Sequence, residues 1–194
     1  MQPRQLFDSA FRCLLPTNVI DASNLRQIPD NQEVFLHPST SQSIIIEIMD
    51  HVDASDHEDA ARVHFDAIGE SNEATDSNIF SVRTVSLLNP DNYCSSVVLL
   101  LGQQKVAKFD HSTEDVVSIH MALYRYTEFQ ADVLVLVNDP VEDDDINTSP
   151  EGNHNQAHSR SQGNGFSTDL AWSQDKIDSL LLSLRLSDPS IFVF

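Results

Sequence analysis

The sequence predicts an α+β domain built on a central, mostly antiparallel sheet of about six strands, with helices over both faces. Three observations point there. Residues 43–49 (SIIIEIM) and 132–137 (DVLVLV) are β-branched and nearly continuously apolar, the pattern of strands buried on both sides. Several strand-like segments follow one another at hairpin spacing instead of alternating one for one with helices. Three further segments carry helical stripes behind capping residues.

In chain order, NQEVFLH at 31–37 reads as a short strand around Val34 and Phe35, followed by the buried strand 43–49. Ser55 and Glu58 form a capping box that opens a helix running to about Gly69. Ala60, Ala61, His64, Phe65 and Ile68 fall on its buried stripe. Residues 79–88 (IFSVRTVSLL) alternate as a strand. Residues 96–101 and 105–109 flank Gly102, which predicts a hairpin with the glycine in its turn. Ser112 and Asp115 begin a second helix, with Val116, Ile119, His120, Leu123 and Tyr126 on its stripe. After the strand at 132–137, Ser173 caps a third helix with Ile177, Leu180, Leu181 and Leu184 at i, i+3, i+4 and i+7. The apolar tail DPSIFVF packs back on the domain. Residues 1–140 and 169–194 thus make one domain, and 141–168, rich in Asp, Asn, Ser, Gly and Gln, is a polar, disordered insertion.

Charge narrows the function. The 194 residues hold 30 Asp and Glu against 11 Lys and Arg, a net −19. Nucleic acid and anionic lipid both demand a basic footprint, so neither is an expected partner. A basic protein is. No apolar run approaches the ~18 residues of a membrane span. The N-terminal stretch, interrupted by Arg4, Asp8 and Arg12, is neither a secretory nor a transit segment. Cys13 and Cys94 lack C-x-x-C spacing and read as two reduced, buried thiols, with a single disulfide as the alternative.

Covalent chemistry finds little support. No phosphate-cradling glycine loop occurs, and the chain has only five glycines. His51, His57 and His64 lie among acids, but His57 and His64 are two helical turns apart, ~10 Å, too far for one zinc ion. Cys94 with His111 or His120 suggests a nucleophilic site only on paper, because no elbow or cysteine signature accompanies them. The acid run Glu142–Asp145 lacks the spacing and central glycine of a calcium loop. No catalytic residue, metal or cofactor is therefore expected.

The charge map is more informative. Between Arg26 and Arg62 there is no basic residue, yet there are Asp30, Glu33, Glu47, Asp50, Asp53, Asp56, Glu58 and Asp59. Such a one-signed surface steers association with a basic partner. Within it, residues 20–35 (IDASNLRQIPDNQEVF) mix acids with apolar residues in a turn-rich stretch, where binding residues concentrate.

That stretch, I-D-x-S-x-L-R-x-x-P-D-N-Q-E-V-F, resembles the signature of the Ran guanine nucleotide release factor family, the Mog-type Ran-binding proteins. The resemblance continues through QSIIIEIMDHV, AARVHFDAIGE, GQQKVAK, DVVSIHMALYRYTEFQADVLVLVNDP and SLRLSDPSIF, nearly the whole chain outside the insertion. It implies an antiparallel sheet with helices on both sides, an α/β/α sandwich shared with photosystem PsbP-type proteins. It also implies binding to the small GTPase Ran and release of its guanine nucleotide, in support of nuclear transport. Nothing in the sequence suggests more than a monomer, and a chain this small passes a nuclear pore without a localisation signal, so nucleus and cytoplasm are the expected compartments. The family's acidic contact maps onto Asp21, Asp30 and Glu33, with Asn31 and Gln32 as neighbours. The family carries an acid where Asn24 stands here, which either weakens this side of the patch or shifts its weight to Asp21. The competing readings are an acidic adaptor that binds Ran or another basic protein without exchange activity, a plastid PsbP-like accessory protein, and a hydrolase using Cys94.

Overall fold

The structure, a computed structural model, describes residues 1–94, 96–107, 114–141 and 171–192. Two antiparallel sheets organise it. The larger has seven strands: β3 (Ile20–Asp21), β4 (Gln32–Leu36), β5 (Ser43–Asp50), β6 (Asp76–Ser86), β7 (Ser96–Ala107), β8 (Glu114–Tyr126) and β9 (Ala131–Pro140). Their spatial order is β3-β4-β5-β9-β8-β7-β6. The smaller is β1 (Gln2–Leu6), β2 (Phe11–Leu15) and β10 (Arg185–Leu186), with β2 in the middle. Two helices complete the fold, α1 (His57–Ser71) and α2 (Gln174–Leu181).

The antiparallel character, the strands at 31–37, 43–49, 79–88 and 132–137, and the first and third helices match the sequence reading. The strand count does not, because seven strands replace six. The largest correction concerns the segment expected as a second helix. Its described part, from Glu114, is the central strand β8, hydrogen-bonded between β7 and β9. A central strand is apolar on both faces, so its apolar residues also satisfy a 3.6-residue stripe; the β-branched Val116, Val117 and Ile119 were the better guide.

Gly102 corrects the hairpin expectation. Residues 96–107 form one strand, with Gly102 paired to Ile119 at its middle. A Cβ at Gly102 would lie 2.5 Å from Cζ of Phe65 and 2.8 Å from the carbonyl oxygen of Asn78. The glycine is there to admit the helix, not to turn the chain.

The two faces of the large sheet are covered differently. One core joins Ala60, Ala61 and Phe65 of α1 to Val98, Leu100, Ile119, Met121, Leu123, Leu134 and Leu136. The other joins Ile44, Ile46, Ala122, Tyr124, Val133 and Val135 to Phe11 and Leu15 of the small sheet and to Ile177, Leu180 and Leu181 of α2. A helical layer on both faces is therefore not what forms. The second layer mixes the three-stranded sheet with one short helix, because residues 2–15 fold into a hairpin that the sequence reading left unassigned. Phe192 seals this side, stacked on Phe129 at 5.1 Å and edge-on to Phe11, so the apolar tail does pack back.

Smaller details shift by a residue or two. Asp56, not Ser55, caps α1, its carboxylate accepting from Asp59 N at 2.8 Å, while the Ser55 hydroxyl bonds Asp59. Ser173 stands at the N-cap of α2 with no side-chain cap bond. At the outer edge of the large sheet β6 carries an irregularity between Ile79 and Ser81, and the carboxylate of Glu58 accepts from Thr84 N at 3.1 Å. The polar insertion expected at 141–168 lies outside the described residues, apart from Val141.

Candidate functional site

The 20–35 stretch folds as strand, 3₁₀ turn, open loop and strand. Ile20 and Asp21 pair with Leu36 and Phe35 of β4. Asp21 then caps the turn at 22–24, its Oδ1 accepting from the Ser23 backbone at 3.0 Å and the Ser23 hydroxyl at 2.6 Å. Its Oδ2 takes an ion pair from Arg4 at 2.9 Å, and that guanidinium lies over the Phe35 ring. Pro29 fixes the entry to a tight turn closed by the bond from Gln32 N to Pro29 O at 2.9 Å. Asp30 sits at this turn, exposed, and makes no hydrogen bond or ion pair to a described residue.

The five residues singled out by sequence do not form one patch. Successive strand residues point to opposite faces, and the site divides accordingly. Glu33 faces the small sheet, where its Oε1 accepts from the Phe7 backbone N–H at 2.7 Å. Gln32 faces the other way and donates to Glu47 Oε1 at 2.9 Å, directly across the β4–β5 ladder. Asn31 donates to the same Glu47 oxygen at 3.2 Å and to Ile48 O at 3.1 Å. Asp21 and Glu33 are thus occupied by the N-terminal hairpin, Asn31 and Gln32 by Glu47, and Asp30 by nothing described.

Glu47 is the residue sequence reasoning left outside the site. It is the acid that interrupts the apolar run of β5, which was its signal; its register with Gln32 is a tertiary fact. With Gln32, Ile45, Met49, His64 and Ile68 it lines a cavity of about 230 Å³ beside α1.

Below that cavity lies a buried charge cluster. Asp132, fully buried, accepts from His64 at 2.9 Å, Val52 N at 3.1 Å, Arg125 at 3.0 Å and His51 at 3.1 Å. Burial pushes its carboxyl up, but the bonds from His64, Val52 and Arg125 outweigh it and the net shift is down. His51 and His64 therefore converge on a carboxylate, while His57 begins α1 elsewhere. Among the described residues no group of three or more His, Cys, Asp or Glu is arranged to hold a metal ion.

Cys13 and Cys94 are buried and unbridged, and burial raises each thiol to about 11. Protonated thiols of this kind are poor nucleophiles. His120 is a buried strand residue whose pKa burial lowers, against the opposing charges of Asp139 and Asp178; His111 lies outside the described residues. No described helix is long and apolar enough to cross a membrane.

Residues 4–140 match the sequence model of a family described as "Ran-interacting Mog1 protein". Over 193 residues the chain is 37% identical to the Ran guanine nucleotide release factor of Danio rerio, covering 97% of this chain and 98% of that one. It is 29% identical over 148 residues to the nuclear import protein MOG1 of Saccharomyces cerevisiae, covering 71% and 65%. The crystal structure of the Saccharomyces cerevisiae Ran-binding protein Mog1p superposes with a TM-score of 0.61 at 25% identity, over 75% of this chain and 79% of that one.

Proposed function

This chain belongs to the Ran-interacting Mog1 family, and we propose on that footing that it binds the small GTPase Ran and promotes release of its guanine nucleotide in nuclear import. It acts as a regulator, not through covalent catalysis. The observation that carries the reading is Asp30, an exposed acid at a turn anchored on both sides and free of any described partner, in a chain of net charge −19. Asp21, Asn31, Gln32 and Glu33 flank it as contact residues, and Glu47 holds the two amides in position.

The mechanism follows from linkage. A factor that binds the nucleotide-free GTPase more tightly than the loaded one lowers nucleotide affinity by the same factor. A GTPase grips its nucleotide with a phosphate-binding Lys, backbone N–H groups and Mg²⁺. A carboxylate engaging that cationic machinery, or competing for the metal, loosens the grip. The excess of acids supports a basic protein partner over nucleic acid or anionic membrane. A monomer acting in nucleus and cytoplasm belongs to the same reading, alongside relatives named nuclear import proteins. The single domain formed by 1–140 and 169–194, interrupted by a polar insertion, belongs to the same reading.

The test is release of a fluorescent guanine nucleotide from purified Ran at increasing concentrations of this protein. Acceleration by catalytic amounts supports a release factor. Asp30→Lys is expected to weaken Ran binding by more than about tenfold while leaving the thermal midpoint unchanged. A complex without acceleration would make the protein an adaptor, and undiminished binding by Asp30→Lys would remove Asp30 from the contact.

A further inference from the structure

The basic residues of this acidic chain are distributed in a way the Ran reading does not use. Arg12 of β2 and Arg185 of β10 stand directly opposite each other in antiparallel register. Like charges at opposed cross-strand positions repel. With 30 acids against 11 bases, carboxylates to neutralise them are plentiful. Yet neither arginine has an ion pair to any described residue. Arg185 Nη1 donates only to the carbonyls of Leu182 and Leu184, at 3.2 and 2.5 Å. The Arg12 side chain makes no hydrogen bond to a described residue. Arg4, on the neighbouring strand, is by contrast matched to Asp21. Asp178 of α2 accepts from Gln174 and ion-pairs with neither guanidinium.

The pair lines an open cleft of about 860 Å³ bounded by β2, β10, the end of β6 and the end of α2. Its lining is mixed: Leu14, Val85, Leu182 and Leu88 supply apolar surface, and Ser86, Ser179 and Ser183 supply hydroxyls. Leu88 is 96% exposed, the most exposed of the described large apolar side chains. A cleft of this size is that of a ligand site, not of a single ion. An inorganic anion could meet the two arginines but would leave Leu88 and Leu182 uncovered.

We infer that the cleft between Arg12 and Arg185 binds an acidic, leucine-bearing peptide segment of a partner protein. The two guanidinium forks take a pair of carboxylates, the geometry for which arginine is suited. The apolar side chains between those acids cover Leu88 and Leu182. The negative field of the whole chain opposes such a partner at range, so affinity rests on slow dissociation and not on a steered encounter.

Fluorescence anisotropy of the full chain with a labelled EDLLEDL peptide tests this, with neutral QNLLQNL and inorganic phosphate as comparisons. The acidic peptide is expected to bind and the neutral one not. Arg12→Gln, which removes no described contact, is expected to reduce peptide affinity about tenfold with an unchanged thermal midpoint. Leu88→Ser is expected to reduce it about threefold. Equal binding of both peptides, or undiminished affinity in Arg12→Gln, overturns the proposal. Displacement by phosphate together with no effect of Leu88→Ser reduces the cleft to an anion site and overturns the peptide assignment. Nucleotide release from Ran by Arg12→Gln is expected to match the unaltered protein, so failure here leaves the Ran reading standing.

Discussion

The carboxylate of Glu33 accepts a hydrogen bond from the backbone N–H of Phe7 at 2.7 Å. Phe7 opens the β1–β2 turn, where Phe7, Asp8 and Ser9 all have positive φ. Glu33 therefore serves the fold as well as the candidate contact. Glu33→Ala leaves a part-buried donor unsatisfied and is expected to cost about 1–3 kcal/mol in urea unfolding. Glu33→Gln keeps an acceptor oxygen and is expected to retain stability. Nucleotide release from Ran by Glu33→Gln is then expected to fall less than in Asp30→Lys. A larger fall would give the Glu33 charge the leading part.

Gly102 and Phe65 form a second linked pair. Gly102→Ala drives a methyl against the Phe65 ring and is expected to cost about 1–3 kcal/mol. Phe65→Ala opens a cavity and is expected to cost about 3–5 kcal/mol. Urea unfolding of the double variant is expected to show less than the sum, since the ring that obstructs the methyl is gone. Strict additivity would place the obstruction at the Asn78 carbonyl instead.

Asp132 gives the stability a sign with pH. Its folded pKa lies below the ordinary 3.8. The stabilisation it supplies is present above that value and is lost as pH falls through the lower folded one. Asp132→Asn strands Arg125 without its counter-charge and is expected to cost about 3–5 kcal/mol at pH 7. Below pH 4 its unfolding free energy is expected to change less with acidification than that of the unaltered protein, by thermal melts across pH 2–7.

Both thiols have folded pKa values raised from 9.0 to about 11. Their contribution to stability is intact below pH 9 and is lost as pH climbs toward 11. Iodoacetamide at pH 7.5 is expected to label neither Cys13 nor Cys94 in the folded protein and both in denaturant, as read by mass spectrometry. Rapid labelling of Cys94 in the folded protein would restore it as a candidate nucleophile.

Legibility in the sequence followed the local signal. The strands around Val34, Ile44, Val82 and Val135, and the helix holding Phe65, each carry a period or a run of their own. The strand around Met121 does not, because burial on both faces erases the alternation that separates strand from helix. Gly102 misled for a related reason: a glycine that admits a neighbouring ring and a glycine that turns the chain look alike until the ring is in place. In the candidate site, residues 20–35 were legible as a segment. Their division between Phe7 on one face and Glu47 on the other was not, since it depends on which strands lie beside β4. The opposition of Arg12 and Arg185 links residues 173 positions apart and leaves no mark in the sequence.

The bond from Thr84 N to Glu58 acts at the outermost strand of the large sheet, where unpaired backbone groups would offer a template to a second molecule. With one donor occupied by a carboxylate from α1 and the ladder broken between Ile79 and Ser81, that margin resists stacking against its own kind. High salt, which screens the mutual repulsion of such acidic molecules, leaves this local obstruction in force.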